Sequence, residues 1–163
     1  MKASTLLLAF VAGFLAGRLE YSRQPATPEA TRAAQHVTGI GGVFFKAKDP
    51  AALRAWYRDG LGLETRIGGP SYQVFQWRDH EDPARAGSTV WSLFPEDTTY
   101  FAPSRKPFMI NYRVRDLDAL LAQLGQHGIP VEAKITDEFN GRFAWLSDPE
   151  GNRLELWEPK AGY

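Results

Sequence analysis

Polar side chains able to act together sit at alternating positions in two segments of the second half of the chain. Asn111 and Arg113 alternate within Phe108-Met109-Ile110-Asn111-Tyr112-Arg113-Val114, and Arg153, Glu155 and Trp157 within Arg153-Leu154-Glu155-Leu156-Trp157. Neighbouring residues of a strand point to opposite faces, so each set shares a face. A carboxylate among aromatic rings is a candidate general base for a proton-abstracting isomerisation or epimerisation. Asn111 and Arg113 would then hold a developing oxyanion or a substrate carboxylate. A structural reading stands beside this one: inward Glu and Arg pair with each other, because unpaired buried charge is costly.

Composition removes several other chemistries. The chain has 163 residues and no cysteine, which excludes disulfides, thiolate nucleophiles and Cys-ligated metals. Its 19 basic and 19 acidic residues cancel and form no basic stripe interleaved with aromatics, so the electrostatic footprint of a nucleic-acid binder is missing. The 44% hydrophobic and 13% aromatic content instead supports a folded body with a ring-rich cavity or interface.

The elements that must position the polar residues follow from periodicity. Gly42 to Ala47 reads as a strand. Asp49 and Pro50 suit a helix cap and first position, with a helix from Ala51 to Asp59 whose Leu53, Trp56 and Tyr57 form its core face. Strands are expected around Leu63 to Ile67, Tyr72 to Trp77 and Thr89 to Phe94. The second half repeats the order: a strand at Phe108 to Val114, a helix at Asp118 to His127 with Leu120, Leu121 and Leu124 on one face, then strands near Val131 to Ile135, Arg142 to Leu146 and Arg153 to Trp157. Placing Asp49 on Asp116 superposes Ala47 on Val114 and Leu53 on Leu120, and shorter loops bring Ser92-Leu93-Phe94 onto Glu155-Leu156-Trp157. The body is a duplication.

Each module would form a small curved sheet with a helix on its convex face, and two of them would enclose a cleft. Alternation sends Ile110, Tyr112, Val114, Leu154 and Leu156 to the helix side. Met109, Asn111, Arg113, Arg153, Glu155 and Trp157 turn into the cleft, joined from the first module by Gly42, Phe44, Lys46, Val90, Ser92 and Phe94. Trp91 goes to the helix side. Tyr100, Phe101 and Phe108, between the modules, are candidates for an aromatic lip, and Arg142 for a contact with a ligand anion.

Asp148-Pro149-Glu150-Gly151-Asn152-Arg153-Leu154-Glu155-Leu156-Trp157 and Tyr112-Arg113-Val114-Arg115-Asp116-Leu117-Asp118 resemble the closing turn and strand and the module opening of the vicinal-oxygen-chelate superfamily, which includes glyoxalases, bleomycin-resistance proteins and extradiol dioxygenases. The resemblance runs from about Thr38 to Pro159. It implies an α+β fold of two βαβββ modules, about 38–103 and 107–159, forming a paired, curved mixed sheet around a small-molecule cleft that often holds a divalent metal. The positions matching the metal ligands are Gly42, Ser92, Met109 and Glu155, of which only Glu155 suits a hard or borderline divalent ion. His36 precedes the domain, His80 lies in a loop and His127 ends a helix. The expectation is therefore no metal and no cofactor.

The expected site has Glu155 as acid-base residue, with Asn111, Arg113, Arg153, Phe44, Ser92 and Trp157 binding substrate. The expected activity is metal-free lyase or isomerase chemistry on a carbonyl or carboxylate compound. Alternatives are a non-catalytic small-molecule or drug-sequestering protein and an interaction module with a vestigial cleft. The partner is a small molecule and not nucleic acid, and the assembly is a monomer or a homodimer.

Ahead of the 37–160 domain, Lys2 precedes an uncharged run from Leu6 to Gly17 that ends at Arg18. As a helix this run rises only about 20 Å, short of a bilayer core of roughly 30 Å. Residues 1–17 read as a signal peptide or a short membrane anchor and 18–36 as a flexible linker. Either reading exports the body, leaving it periplasmic or attached to a membrane.

Overall fold

Both helices of the described residues begin at the same chemical device. In the computed structural model, which describes residues 36–80 and 82–163, Asp49 precedes helix α1 (Pro50–Leu61) and accepts a hydrogen bond from Ala52 N at 2.9 Å. Asp116 precedes α2 (Leu117–Gln126) and accepts from Ala119 N at 2.9 Å. An aspartate in extended conformation at this position satisfies one of the backbone donors that a helix start leaves free. The superposition of Asp49 on Asp116 is thus a structural equivalence.

The strands are β1 (Val37–Ala47), β2 (Ile67–Gly68), β3 (Tyr72–Arg78), β4 (Ala86–Pro95), β5 (Phe108–Val114), β6 (Thr136–Glu138), β7 (Gly141–Ser147) and β8 (Arg153–Pro159). They form one eight-stranded mixed sheet in the order β2-β3-β4-β1-β5-β8-β7-β6. Each half is a βαβββ module, and the modules join through the antiparallel β1–β5 pair. Within each module the first strand runs parallel to the last, β1 with β4 and β5 with β8. The fold is α+β, as the resemblance implies.

Alternation sorts the core into two layers. On the helix side Val114, Leu117, Leu120, Ala144, Leu146 and Leu156 are buried together, with Tyr112 and Leu154 packed against them. On the other side Phe44, Met109, Phe101 and Trp145 form a second buried cluster, flanked by Val90, Phe94 and Phe143. The faces assigned from sequence to β5, β8 and the ends of β1 and β4 are those observed.

Local expectations need correction at several places. Trp56 is 60% exposed, and α1 contains no buried residue. Tyr57 reaches Trp91 with ring centroids 4.8 Å apart, and Trp56, about 100° around the helix from it, lies off the contact line. No strand occupies Val131 to Ile135. Val131 makes one isolated bridge to Leu146, and the chain pairs regularly only from Thr136, which turns through Phe139-Asn140 into β7. Ladder pairing in the segment after α1 is likewise confined to Ile67 and Gly68.

Residues 1–17, read as signal or anchor, and all of the 18–36 linker but His36 lie outside the described residues. Among the described residues no helix is long and apolar enough to cross a membrane.

The two helices should respond differently to truncation. Leu120→Ala, in the buried layer, is expected to cost about 2–5 kcal/mol, whereas Trp56→Ala should stay within about 0.5 kcal/mol of the parent. Urea denaturation of the two variants measures the difference.

Candidate functional site

The sheet register builds a lateral row on the concave face. Gly42 stands opposite Val90 and Asn111, Asn111 opposite Glu155, and Glu155 opposite Trp145. Paired residues of neighbouring strands share a face and lie within side-chain reach. Glu155, only 2% exposed, therefore meets its neighbours directly. Its Oε1 accepts from Asn111 Nδ2 at 2.6 Å and its Oε2 from Trp145 Nε1 at 2.8 Å. A third donor, the Tyr100 hydroxyl, reaches Oε2 from the connection between the modules. The row can form because β1 offers no side chain there: a Cβ on Gly41 would collide with Asn111 Oδ1 and lie 2.8 Å from the Trp157 ring.

Tyr100 is held from several directions. Its ring stacks on Phe94 with centroids 5.3 Å apart and planes 5° apart, and its main-chain oxygen accepts from Arg153 Nη1. Burial first, and then the neighbouring Glu155 charge, push the phenol far above its ordinary value of 10.0.

Arg153 does not pair with Glu155. Its Nε and Nη2 each donate to one oxygen of Glu132 at 2.7 Å, a bidentate clamp. Its guanidinium lies 5.4 Å from the Trp145 ring centroid. The closing turn sets the start of this strand: Asp148 accepts from the main-chain N–H groups of Glu150 and Asn152 and from Asn152 Nδ2. These bonds, Asn152 first, draw the Asp148 carboxyl below its usual range.

Beside the row lies a cavity of about 540 Å³. Tyr100, Phe143 and Trp145 supply rings to its wall, Arg153 and Lys134 positive charge, and Phe139 a further ring. Phe143 stacks on Trp145 and on Trp157, with centroids 6.3 and 6.2 Å apart. Glu155 is not part of the wall: Tyr100 and Trp145 stand between its carboxylate and the cavity.

The residues singled out from sequence fall into three groups. Glu155 and Asn111 bond directly, and Arg113 lies over Trp157 at 5.1 Å in the next row. Arg153 lines the cavity from outside the Glu155 network. Phe44 is buried in the apolar cluster, and the Ser92 hydroxyl donates to Ser71 O at 3.4 Å within the first module. Of the proposed lip, Tyr100 lines the cavity, Phe101 is wholly buried, and Phe108 is 37% exposed. Arg142 faces Asp118 and Glu158 and does not line the cavity. Sequence reasoning missed Trp145 and Glu132. Alternation along β7 would have turned Trp145 inward, while Glu132 lay in a segment taken for a strand.

A family model described as "Glyoxalase/Bleomycin resistance protein/Dioxygenase superfamily" matches residues 39–156. The chain belongs to this superfamily. Within curated proteins it is 31% identical over 117 residues to the uncharacterized protein YaeR of Escherichia coli K12, covering 69% of this chain and 89% of the relative. Among solved structures, a Streptomyces coelicolor methylmalonyl-CoA epimerase in complex with 2-nitronate-propionyl-CoA superposes with a TM-score of 0.53 at 20% identity, covering 77% of this chain and 99% of that one. A Legionella pneumophila protein described as NAD-dependent benzaldehyde dehydrogenase gives 0.50 at 18%, covering 73% and 98%. At these identities the structural likeness speaks for the fold.

Superfamily members often hold a divalent cation, and the donor set here does not fit one. Among the described residues no three of His, Cys, Asp and Glu converge. Of the four matching positions Gly42 has no side chain, Met109 is a buried thioether in the apolar cluster and the Ser92 hydroxyl faces Ser71. Both Glu155 oxygens already accept from donors of the chain.

Glu155→Leu should strand three buried donors and destabilise the protein by on the order of 3 kcal/mol or more in chemical denaturation. The Tyr100 phenol should ionise above the ordinary phenol value in an alkaline ultraviolet titration. Its folded-state pKa is raised, so its contribution to stability is full below the ordinary phenol value. That contribution is lost as pH rises toward the folded-state value, and Tyr100→Phe should abolish this alkaline dependence.

Proposed function

We propose that this protein binds a small, ring-bearing organic molecule in the cavity beside Tyr100, Phe143 and Trp145, and that reversible binding is its function. The observation that carries this reading is the placement of the cleft's buried carboxylate. Glu155 gives both oxygens to Asn111, Trp145 and Tyr100, while ring faces, Lys134, the Glu132-clamped Arg153 and Glu138 line the adjoining space. A cavity of about 540 Å³ falls within the range of small-molecule sites. Rings supply most of the contact energy available there, and the few polar groups orient the ligand.

One observation favours a second reading, metal-free lyase or isomerase chemistry on a carbonyl or carboxylate compound. Tyr100 both lines the cavity and donates to Glu155. A ligand proton taken up at the phenol oxygen, with the phenol proton passing to Glu155, would connect the buried carboxylate to the ligand without exposing it.

A thermal-shift panel of ring-bearing metabolites tests the binding reading. At least one compound should raise the melting temperature and be recovered unchanged by NMR after prolonged incubation, with Phe143→Ala weakening it roughly tenfold, about 1.4 kcal/mol. A flat panel contradicts binding. Deuterium incorporation from D2O into a bound compound, lost in Tyr100→Phe, would establish the second reading in place of the first.

A further inference from the structure

One edge of the cavity carries open charge of both signs. The segment that leads into β6 and through it supplies Lys134, Thr136 and Glu138 to the wall. These are alternate positions of an extended chain, which share a face. Neither the Lys134 ammonium nor the Glu138 carboxylate makes a hydrogen bond or an ion pair with any described residue. Lys160, which reaches the same strand, donates to the main-chain oxygen of Glu138 at 2.7 Å and answers its charge on Asp137 at 2.5 Å. Lys134 and Glu138 do not pair with each other either, since four residues of extended chain hold their backbones roughly 13 Å apart. The third charged residue of the wall, Arg153, is already clamped by Glu132. The cavity thus keeps one free cation and one free anion, at opposite ends of one strip.

The rings lie between them. Thr136, at the middle of the strip, stands opposite Phe143 in the β6–β7 ladder, and Glu138 stands opposite Gly141, which has no side chain to cover it. Phe143 stacks on Trp145 with planes 18° apart, so a flat aromatic platform occupies the centre of the wall. Phe139, next to Glu138, belongs to the wall and is 78% exposed. Lys134 and Glu138 are themselves exposed, and in the free protein water hydrates them at no expense to the fold. Beside a ligand that covers the rings, the same charges act in a less polar medium, where a matching charge is attracted more strongly.

We infer that the cavity selects a zwitterion whose two charges flank a ring, the ring lying on Phe143 and Trp145, its anionic group at Lys134 and its cationic group at Glu138. This rests on the reading that the cavity binds a ring-bearing molecule, and it narrows that molecule to one with opposite charges at opposite ends.

Three ring-matched probes test the selection: zwitterionic 4-(aminomethyl)benzoate, anionic 4-methylbenzoate and cationic 4-methylbenzylamine. Each is titrated by calorimetry, at neutral pH and constant ionic strength, into the wild-type protein, Lys134→Gln, Glu138→Gln and Phe143→Ala. An exposed ion pair contributes modestly, so the zwitterion should bind wild type about threefold or more tightly than either singly charged probe. Lys134→Gln should weaken the zwitterion and the anion but not the cation. Glu138→Gln should weaken the zwitterion and the cation but not the anion, and Phe143→Ala should weaken all three. The two charge variants remove exposed side chains without partners, so their melting temperatures without ligand should match wild type, which checks that they fold. A zwitterion bound no better than its singly charged relatives overturns the selection and leaves the binding reading standing. So does a loss in Lys134→Gln or Glu138→Gln that is equal for all three probes. No binding of any probe to wild type defeats both.

Discussion

A single buried carboxylate organises the concave face. Glu155 sits on β8 and draws donors from β5, from β7 and from the connection between the modules, so one side chain ties together elements far apart in sequence. Its position follows from register: a one-residue slip of β8 would turn Glu155 and Trp157 toward the helix and bring Leu154 and Leu156 into the cleft. Tyr100 is the element most dependent on it. With its hydroxyl on Glu155 and its ring on Phe94, Tyr100 becomes a fixed wall of the cavity, and the carboxylate that holds it is sealed behind it.

The duplicated backbone carries unequal chemistry. Ser92 is the counterpart of Glu155 and Phe44 that of Asn111, so the first module has apolar packing where the second has a hydrogen-bonded row. The helices diverge in the same sense, with Leu117 and Leu120 buried on α2 and no residue buried on α1. The second module is thus the one that places rings and cations around a cavity, with the first contributing β1 as a lateral support. Glycines at 41 and 42 in that strand leave room for the Asn111 and Trp157 side chains.

Much of this was legible in the sequence. The caps at Asp49 and Asp116, the closing turn at Asp148 and strict alternation in β5 and β8 are local devices, and they gave the modules and their inward faces. What escaped depends on contacts that periodicity does not encode. Trp56 lies close to an apolar stripe, but only the docking angle of α1 decides that Tyr57 faces the sheet and Trp56 faces solvent. Glu132 clamps Arg153 from a stretch that reads as a strand but is held only by an isolated bridge, so strand alternation does not decide where its side chain goes. The Tyr100 bond to Glu155 spans 55 positions in sequence and becomes visible only once the inter-module connection is placed. The resemblance implies a cleft that often holds a divalent metal, yet Gly42, Ser92 and Met109 at three of the four matching positions offer no ligand suited to one, which is legible in the residue types alone.

The Glu155 network, with both carboxylate oxygens taken by buried donors, should be closed to solvent. Hydrogen exchange of the Trp145 indole N–H, followed by nitrogen-edited NMR on the native protein, addresses this directly. A donor locked onto a buried carboxylate should exchange only on the timescale of global unfolding. Exchange at the rate of a free indole under native conditions would mean that Glu155 is open to solvent, and the sealed carboxylate behind Tyr100 and Trp145 would have to be abandoned.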